Sequence, residues 1–335
     1  MRTFLVIRFS AMGDVLLTLP VLVQACEQNP DVKFLVLTRP RFKAFFDGYD
    51  QIQIIDADVD KQFKGLIGIF RLAKRLKKTY QMEGVLDLHQ NLRSGLLKFF
   101  LTPLKSFTLD KGRADKKDLT VGKNKKRVQL THSTERYAEV LKQAGIEFEF
   151  DSKASKNYFK NLPKPFFEKE TSWIGIAPFA QHKGKIWPKE NIRKVMEQIP
   201  RSYYIFLFGG GDEELYQLRQ LSVDFPNSLV VGISYSMKDQ LAMISALDVM
   251  ICMDSSNMHL AALAGVKTVS IWGATHTNAG FGPYGAQKHE IVEVSTDELP
   301  CRPCSVYGNK PCLREDHACL NWITAEDVTQ RFLGD

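Results

Sequence analysis

The sequence predicts an α/β protein made of two doubly wound parallel sheets, and three observations carry that prediction. Apolar runs of strand length alternate with amphipathic runs of helix length along nearly the whole chain. The alternation halts once, at "NLPKPFFEKETS" (161–172), whose prolines and charges read as a linker, and then restarts. The length, 335 residues, gives each half enough chain to bury its own core. The expected domains are 1–165 and 166–335, with the last helix a candidate to pack back on the first domain.

In the first half "TFLVIRF" reads as a strand and "VLLTLPVLVQACEQN" as a helix. "KFLVLT" and "QIQIID" are strands, "FKGLIGIFRLAKRLKKTY" is a helix, and "GVLDLH" is again a strand. In the second half "WIGIAPF" is a strand, and "WPKENIRKVMEQI" a helix opened by Pro188, a favoured first-turn residue. "YYIFLFGGGDEELYQLRQL" gives strand, glycine turn and helix. "SLVVGI", "MKDQLAMISA" and "DVMICMD" follow as strand, helix and strand. "SSNMHLAALAG" is a helix ending at Gly265, "KTVSIWG" a strand, and "TAEDVTQRFLG" a last helix capped by Thr324. Ligands of such sheets bind beyond the carboxyl ends of the strands. The turns after Phe9 and after Met253 lie at such ends.

Composition narrows the function classes. No apolar run reaches the roughly 18 residues a membrane span needs, and the N-terminal run stops at Arg8, too short for a signal segment. The expected location is cytoplasmic. Of six cysteines, Cys26 and Cys252 sit alone in apolar runs, as small core residues do. Cys301, Cys304, Cys312 and Cys319 are clustered, either as a structural metal cluster or as thiols or disulfides without metal. The net charge is +7, and residues 111–127 hold eight Lys/Arg against two Asp. That block is an anion attractor or a solvated loop. Lacking interleaved aromatics, it does not resemble a nucleic-acid reader.

Four loops could carry chemistry. In "RFSAMGDVLLTLP", Asp14 opens a helix at a strand's carboxyl edge, as a helix cap, a general base or both. In "MDSSNMHLAALAG", Asp254 ends a buried strand. Ser255, Ser256 and Asn257 then open a helix whose free N–H groups suit a phosphate. His259 lies on that helix, where a hydrogen-bonded core histidine is the plain alternative. In "AQHKGKIWPKENI", Lys183 and Lys185 precede a helix start, where they suit a diphosphate or are simply solvated. "LFGGGDEEL" permits close backbone approach but is not G-x-G-x-x-G, so a dinucleotide fingerprint is absent and an NAD(P) oxidoreductase is disfavoured.

Together and in this order, these loops resemble glycosyltransferase family 9, the ADP-heptose:lipopolysaccharide heptosyltransferases. The resemblance rests on "RFSAMGDVLLTLP", on K-x-W-P at Lys185–Pro188, on "GGGDEE", and on "DSSNMHLAALAG" followed by a strand and "GPYG". "CRPC" is similar to a cluster many members carry. The resemblance implies a GT-B fold, two Rossmann-like domains facing a central cleft. It implies an inverting, metal-independent transfer of a heptose from ADP-heptose to a lipopolysaccharide core or lipid A-linked acceptor, with no cofactor. A GT-B nucleotide-sugar epimerase is the nearest rival.

By the same resemblance Asp14 is the base. Lys185 holds the donor diphosphate, Glu213 meets the ribose and Asp254 the transferred sugar. Ser255, Ser256 and His259 form the phosphate site. Ser10, Gly13, Arg93, His132 and Arg136 face the acceptor. The family usually has Gly where Ser256 stands; the added Cβ where phosphate approaches bears on donor affinity or donor identity. A monomer is expected, peripheral on the inner face of the inner membrane, attracted by the basic block and by Arg71, Lys74, Arg75 and Lys78 on one helix face.

Overall fold

Strand β1 (Arg2–Ile7) is apolar and buried from Phe4 onward, the pattern of a strand covered on both faces. Each strand that pairs with it does so in parallel. In the computed structural model, which describes residues 1–121, 125, 127–166, 168–232, 234–285 and 289–333, the chain forms two units.

The first unit comprises Met1–Gly112, Thr131–Ser152 and Tyr158–Asn161. After β1 come helices α1 (Met12–Leu16) and α2 (Thr18–Gln28), then β2 (Val32–Thr38) and β3 (Ile52–Asp56). Next follow α3 (Gly65–Thr79), β4 (Gly84–Asp87), α4 (Leu92–Leu101) and β5 (Lys105–Thr108). Helix α5 (Arg113–Thr120) belongs to the second unit, and α6 (Ser133–Gln143) returns to the first to pack on α2. Among the described residues the sheet has five parallel strands in the order β3-β2-β1-β4-β5. The single helix expected after β1 is two, with Leu17 between them. From Thr18 to Cys26 α2 is buried on all sides, as an apolar-all-round helix must be.

The second unit comprises Arg113–Leu130, Lys153–Asn157 and Leu162–Asp335. It runs β6 (Trp173–Ala177), α7 (Lys189–Gln198), β7 (Tyr204–Phe208), α8 (Asp212–Ser222), β8 (Ser228–Val231) and α9 (Met237–Ser245). Then come β9 (Val249–Met253), α10 (Ser256–Leu263), β10 (Lys267–Trp272), β11 (His289–Glu293), α11 (Ala318–Asn321) and α12 (Ala325–Leu333). Among the described residues its sheet has six strands in the order β11-β10-β9-β6-β7-β8, the doubly wound dinucleotide-fold order read from one edge.

The sequence boundary at 165/166 misses two excursions, 113–130 and 153–157, which cluster with the second unit. Lys116 and Leu130 show why. Lys116 lies over the Phe281 ring at 4.3 Å, and the Leu130 N–H donates to the Asn278 carbonyl at 2.9 Å. Helix α12 packs on α7, β10 and β11 of its own unit. Thr324 caps it as expected, accepting from the Asp327 N–H at 3.2 Å.

Both sheets reverse strand order beside their first strand, between β1 and β4 in one and between β6 and β9 in the other. Such switch points leave a crevice at the carboxyl ends of the strands. The loops singled out in the sequence leave those ends.

Candidate active site

In the first unit, α1 starts at Met12, so Asp14 is its third residue and not the cap that the sequence suggested. Its Oδ2 accepts from the Ala11 N–H at 3.3 Å and is ion-paired with Arg8. Arg8 is nearly fully buried while the Asp14 side chain keeps 30% of its surface. The guanidinium also donates to the Leu88 carbonyl and lies 5.8 Å from the Tyr137 ring centroid. Burial works against its charge, but Tyr137, Asp14 and Asp87 outweigh that and raise its pKa. Ser10 and Gly13 are half-buried beside Asp14 in sequence.

Sequence reasoning missed Arg8, which it took as the end of an apolar run, and the turn after β4. There Asp87, fully buried, accepts from the backbone N–H of His89 at 3.0 Å and of Gln90 at 2.8 Å. It also accepts from Ser94 Oγ at 3.0 Å and pairs with Lys98 at 2.8 Å. His89 packs edge-on against Phe9 at 5.5 Å. Burial, then the charges of Arg8 and Lys111, push its pKa down to about 4, so it is neutral at physiological pH. A buried acid in "GVLDLH" that is not at a hydrophobic period was the available signal.

In the second unit, Lys185 Nζ meets Asp254 Oδ2 at 2.8 Å, with the two side chains 16% and 9% exposed. Thr275 Oγ1 donates to the same carboxylate at 2.7 Å. Asp254 directly follows β9 and precedes α10. Ser255 is that helix's cap residue, but its side chain makes no capping bond. Among the described residues its Oγ is buried without a hydrogen-bond partner, a group that native folds seldom leave unmet. Ser256 is the first helical residue and half-buried; His259 is buried one turn on. Gly308 explains how Lys185 passes: its φ is +77°, and a Cβ there would sit 2.6 Å from Lys185 Cγ. Lys183 is exposed. Glu213 is exposed on α8 and accepts from Gln217 at 2.8 Å. The cap residue before it, Gly211, has φ +87°, which the glycine turn supplies.

Arg302, the second residue of "CRPC", is the other group missed. It is fully buried and donates to the carbonyls of Trp272 (3.2 Å), Gly273 (2.7 Å), Thr275 (3.1 Å) and Val294, and to Glu293 at 2.9 Å. Burial pushes the Glu293 carboxyl up, but hydrogen bonds from His276 and the Arg302 charge outweigh it and leave its pKa low. The N–H groups of Cys304 and Ser305 both reach the Ala274 carbonyl at 3.1 Å, and the Ala274 N–H reaches Gly184 at 2.9 Å. The cysteine-rich segment therefore buckles the 272–275 loop into the position from which Thr275 holds Asp254.

Cys301, Cys304, Cys312 and Cys319 are free thiols lining one cavity of about 630 Å³. Burial pushes Cys304 up and Cys319 to about 12. Among the described residues no three His, Cys, Asp or Glu side chains are grouped as a metal ion would need.

The residues assigned to the acceptor are not gathered in one place. Arg136 lines a cleft of about 560 Å³ in the first unit with Asp110, Thr131, Glu135 and Lys142. Its Nε donates to the Thr131 carbonyl at 3.3 Å. His132 caps α6, with Nδ1 accepting from the Thr134 N–H at 3.3 Å. Arg93 does not line that cleft; it stands on α4, paired with Asp60 at 2.9 Å.

The basic block is partly engaged. Lys125 donates to the carbonyls of Cys301 at 2.5 Å and Pro303 at 2.9 Å, burial lowering its pKa, and Arg127 reaches Asp297 at 3.5 Å. Lys123 and Lys126 lie outside the described residues.

Two doubly wound units, each with charged side chains at its switch point, define the GT-B class of glycosyltransferase. Residues 69–310 match the model of "Glycosyltransferase family 9 (heptosyltransferase)", and the chain belongs to that family. It is 25% identical over 338 residues to lipooligosaccharide heptosyltransferase 2 of Campylobacter jejuni, covering 96% of this chain and 94% of that one. Its fold is similar to that of a family 9 glycosyltransferase from Veillonella parvula (TM-score 0.74, 18% identity, 99% and 96% of the two chains). It is also similar to E. coli heptosyltransferase WaaC with ADP (TM-score 0.71, 18% identity, 99% of both).

Proposed function

We propose that this chain is an inverting, metal-independent transferase that moves a heptose, or a related sugar, from a nucleotide sugar to a lipopolysaccharide core or lipid A-linked acceptor. ADP-heptose is the donor this reading favours, given the names of the similar proteins. The observation that carries it is the set Lys185–Asp254–Thr275 beside the start of α10, with the Ser255 hydroxyl buried and unmet next to it.

As the glycosidic bond breaks, negative charge grows on the departing diphosphate. Lys185 and the free N–H groups of α10 are already oriented to receive it, so stabilisation needs no reorganisation. Asp254, relieved of Lys185, turns to the hydroxyls of the transferred sugar. Asp14 takes the proton of the acceptor hydroxyl as that oxygen attacks the anomeric carbon from the face opposite the leaving group. Arg8 fixes where its carboxylate points. Glu213, exposed at the glycine turn, is available to a ribose. Arg136 and His132 meet anionic sugars of the acceptor. The protein works as a monomer, peripheral on the inner face of the inner membrane where such an acceptor is built.

The test is transfer from ADP-heptose to a heptose-deficient core acceptor, followed by mass spectrometry of the product. A mass gain of one heptosyl residue is expected. Stabilisation by NAD but not by ADP, with no transfer from any nucleotide sugar, would overturn the reading.

A further inference from the structure

Helix α3 changes character halfway along. Its first two turns expose Leu66, Ile67 and Phe70, at 58%, 72% and 51%, instead of polar groups. Its later turns expose Arg71, Lys74, Arg75, Lys77 and Lys78. The opposite face, Ile69, Leu72, Ala73 and Leu76, is buried in the unit's core, so the exposed apolar residues are surplus to folding. They are not isolated either. Phe70 stacks edge-on against Phe100 of α4 at 5.4 Å, and Phe100 against Phe99 at 5.5 Å, with Phe99 itself 71% exposed. A contiguous apolar patch therefore bridges two neighbouring helices, and a patch of that kind marks an interaction site.

The charge next to it selects the partner. Neither α3 nor α4 contains an acidic residue. Arg71, Lys74, Arg75 and Lys78 make no ion pair or hydrogen bond among the described residues. A second copy of this chain would bring like charges together across a two-fold contact, which is unfavourable. An anionic bilayer accepts both halves at once: the apolar side chains enter the headgroup–acyl boundary, and the cations lie among the headgroups.

We infer that the α3–α4 face of the first unit docks on an anionic membrane by shallow insertion of Ile67, Phe70 and Phe99, with Arg71, Lys74, Arg75 and Lys78 on the lipid headgroups. Among the described residues no helix is long and apolar enough to cross a membrane, and the attachment inferred is a peripheral one. The inference deepens the proposed function in taking the partner to be the bilayer that carries the acceptor. It also shifts the contact away from the basic block, where Lys125 and Arg127 are already engaged within the second unit.

The test is flotation of the full chain with vesicles of phosphatidylcholine, with or without phosphatidylglycerol, at low and high salt. The triple variant Ile67→Ser/Phe70→Ser/Phe99→Ser should bind anionic vesicles at least about tenfold more weakly at both salt concentrations. The variant Arg71→Gln/Lys74→Gln/Arg75→Gln/Lys78→Gln should lose the preference for anionic over neutral vesicles. In Phe70→Trp, emission should shift to the blue on anionic vesicles. An unchanged thermal shift with ADP shows that the variants are folded and that the donor reading stands apart from this one. The inference is overturned if the parent protein does not float with anionic vesicles or if the triple variant floats as well as the parent. A salt-titrated oligonucleotide bound more tightly than the vesicles, or a dimer dissolved by the triple variant, would overturn it as well.

Discussion

The two switch points hold a carboxylate each, and they hold it differently. Asp14 lies on a five-residue helix, keeps 30% of its surface, and is tied to one buried arginine and one backbone N–H. Asp254 is 9% exposed, gripped by Lys185 and Thr275, and backed by a loop that Arg302 clamps through three carbonyls. The first arrangement leaves part of the carboxylate surface in contact with solvent, which suits the proposed role of a base. The second is a cradle whose lysine and helix N–H groups are held in place beforehand, which is what the proposed diphosphate site calls for.

The sharpest way to break that contrast is Asp14→Asn. On the account given, transfer falls by about 10²–10⁴-fold, the range typical of a general base, while ADP affinity stays within about twofold. Initial rates and calorimetric titration check the two halves. Next in size is Arg302→Met, which orphans several buried carbonyls and leaves Glu293 without its cation. Removing one partner of a buried charged network costs roughly 3–5 kcal/mol, so urea unfolding should show the second unit destabilised by about that amount. Lys185→Ala should lose about 2.7–4 kcal/mol of barrier stabilisation, as when one strong donor to a developing anion is removed. Unlike Asp14→Asn, it should also weaken ADP.

A pH prediction tests the first unit alone. His89 titrates near 4 in the fold against 6.5 unfolded. The unfolded chain therefore binds the extra proton first, and this group costs stability as pH falls from 6.5 towards 4. The full cost, reached below pH 4, is about 3 to 3.5 kcal/mol, and it vanishes above pH 6.5. His89→Gln should flatten that part of the urea midpoint-against-pH curve. Smallest is Ser255→Ala, for which a loss of about 0.5–1.5 kcal/mol in ADP affinity is expected from one hydroxyl hydrogen bond.

How much of this was legible follows from which residues obey a period. Strands such as "FLVI" and "VMICM" are apolar throughout because both faces are covered, and their buried runs mark the parallel sheets directly. Lys185, Asp254 and Ser255 were legible because they sit where an apolar run gives way to a helix. Arg8, Asp87 and Arg302 were not. Arg8 and Arg302 find partners 80 and about 30 positions away, which only the closed sheet brings near, while the partners of Asp87 are local, at His89, Gln90, Ser94 and Lys98, and it was passed over as part of a strand end. The assignment of 113–130 to the second unit was hidden for the same reason: Lys116 over Phe281 is a contact between distant segments. Exposure of Ile67 and Phe70 was concealed too, since a helix reading of "GLIGIF" cannot say which apolar residues lack a cover.

In the proposed mechanism the two carboxylate sites divide the labour, and calorimetric titration of ADP into the parent protein, Asp14→Asn and Lys185→Ala separates their parts. The predicted result is near-parental affinity for Asp14→Asn and a loss of at least about tenfold for Lys185→Ala. Unchanged ADP affinity in Lys185→Ala, or an equal loss in Asp14→Asn, would contradict it.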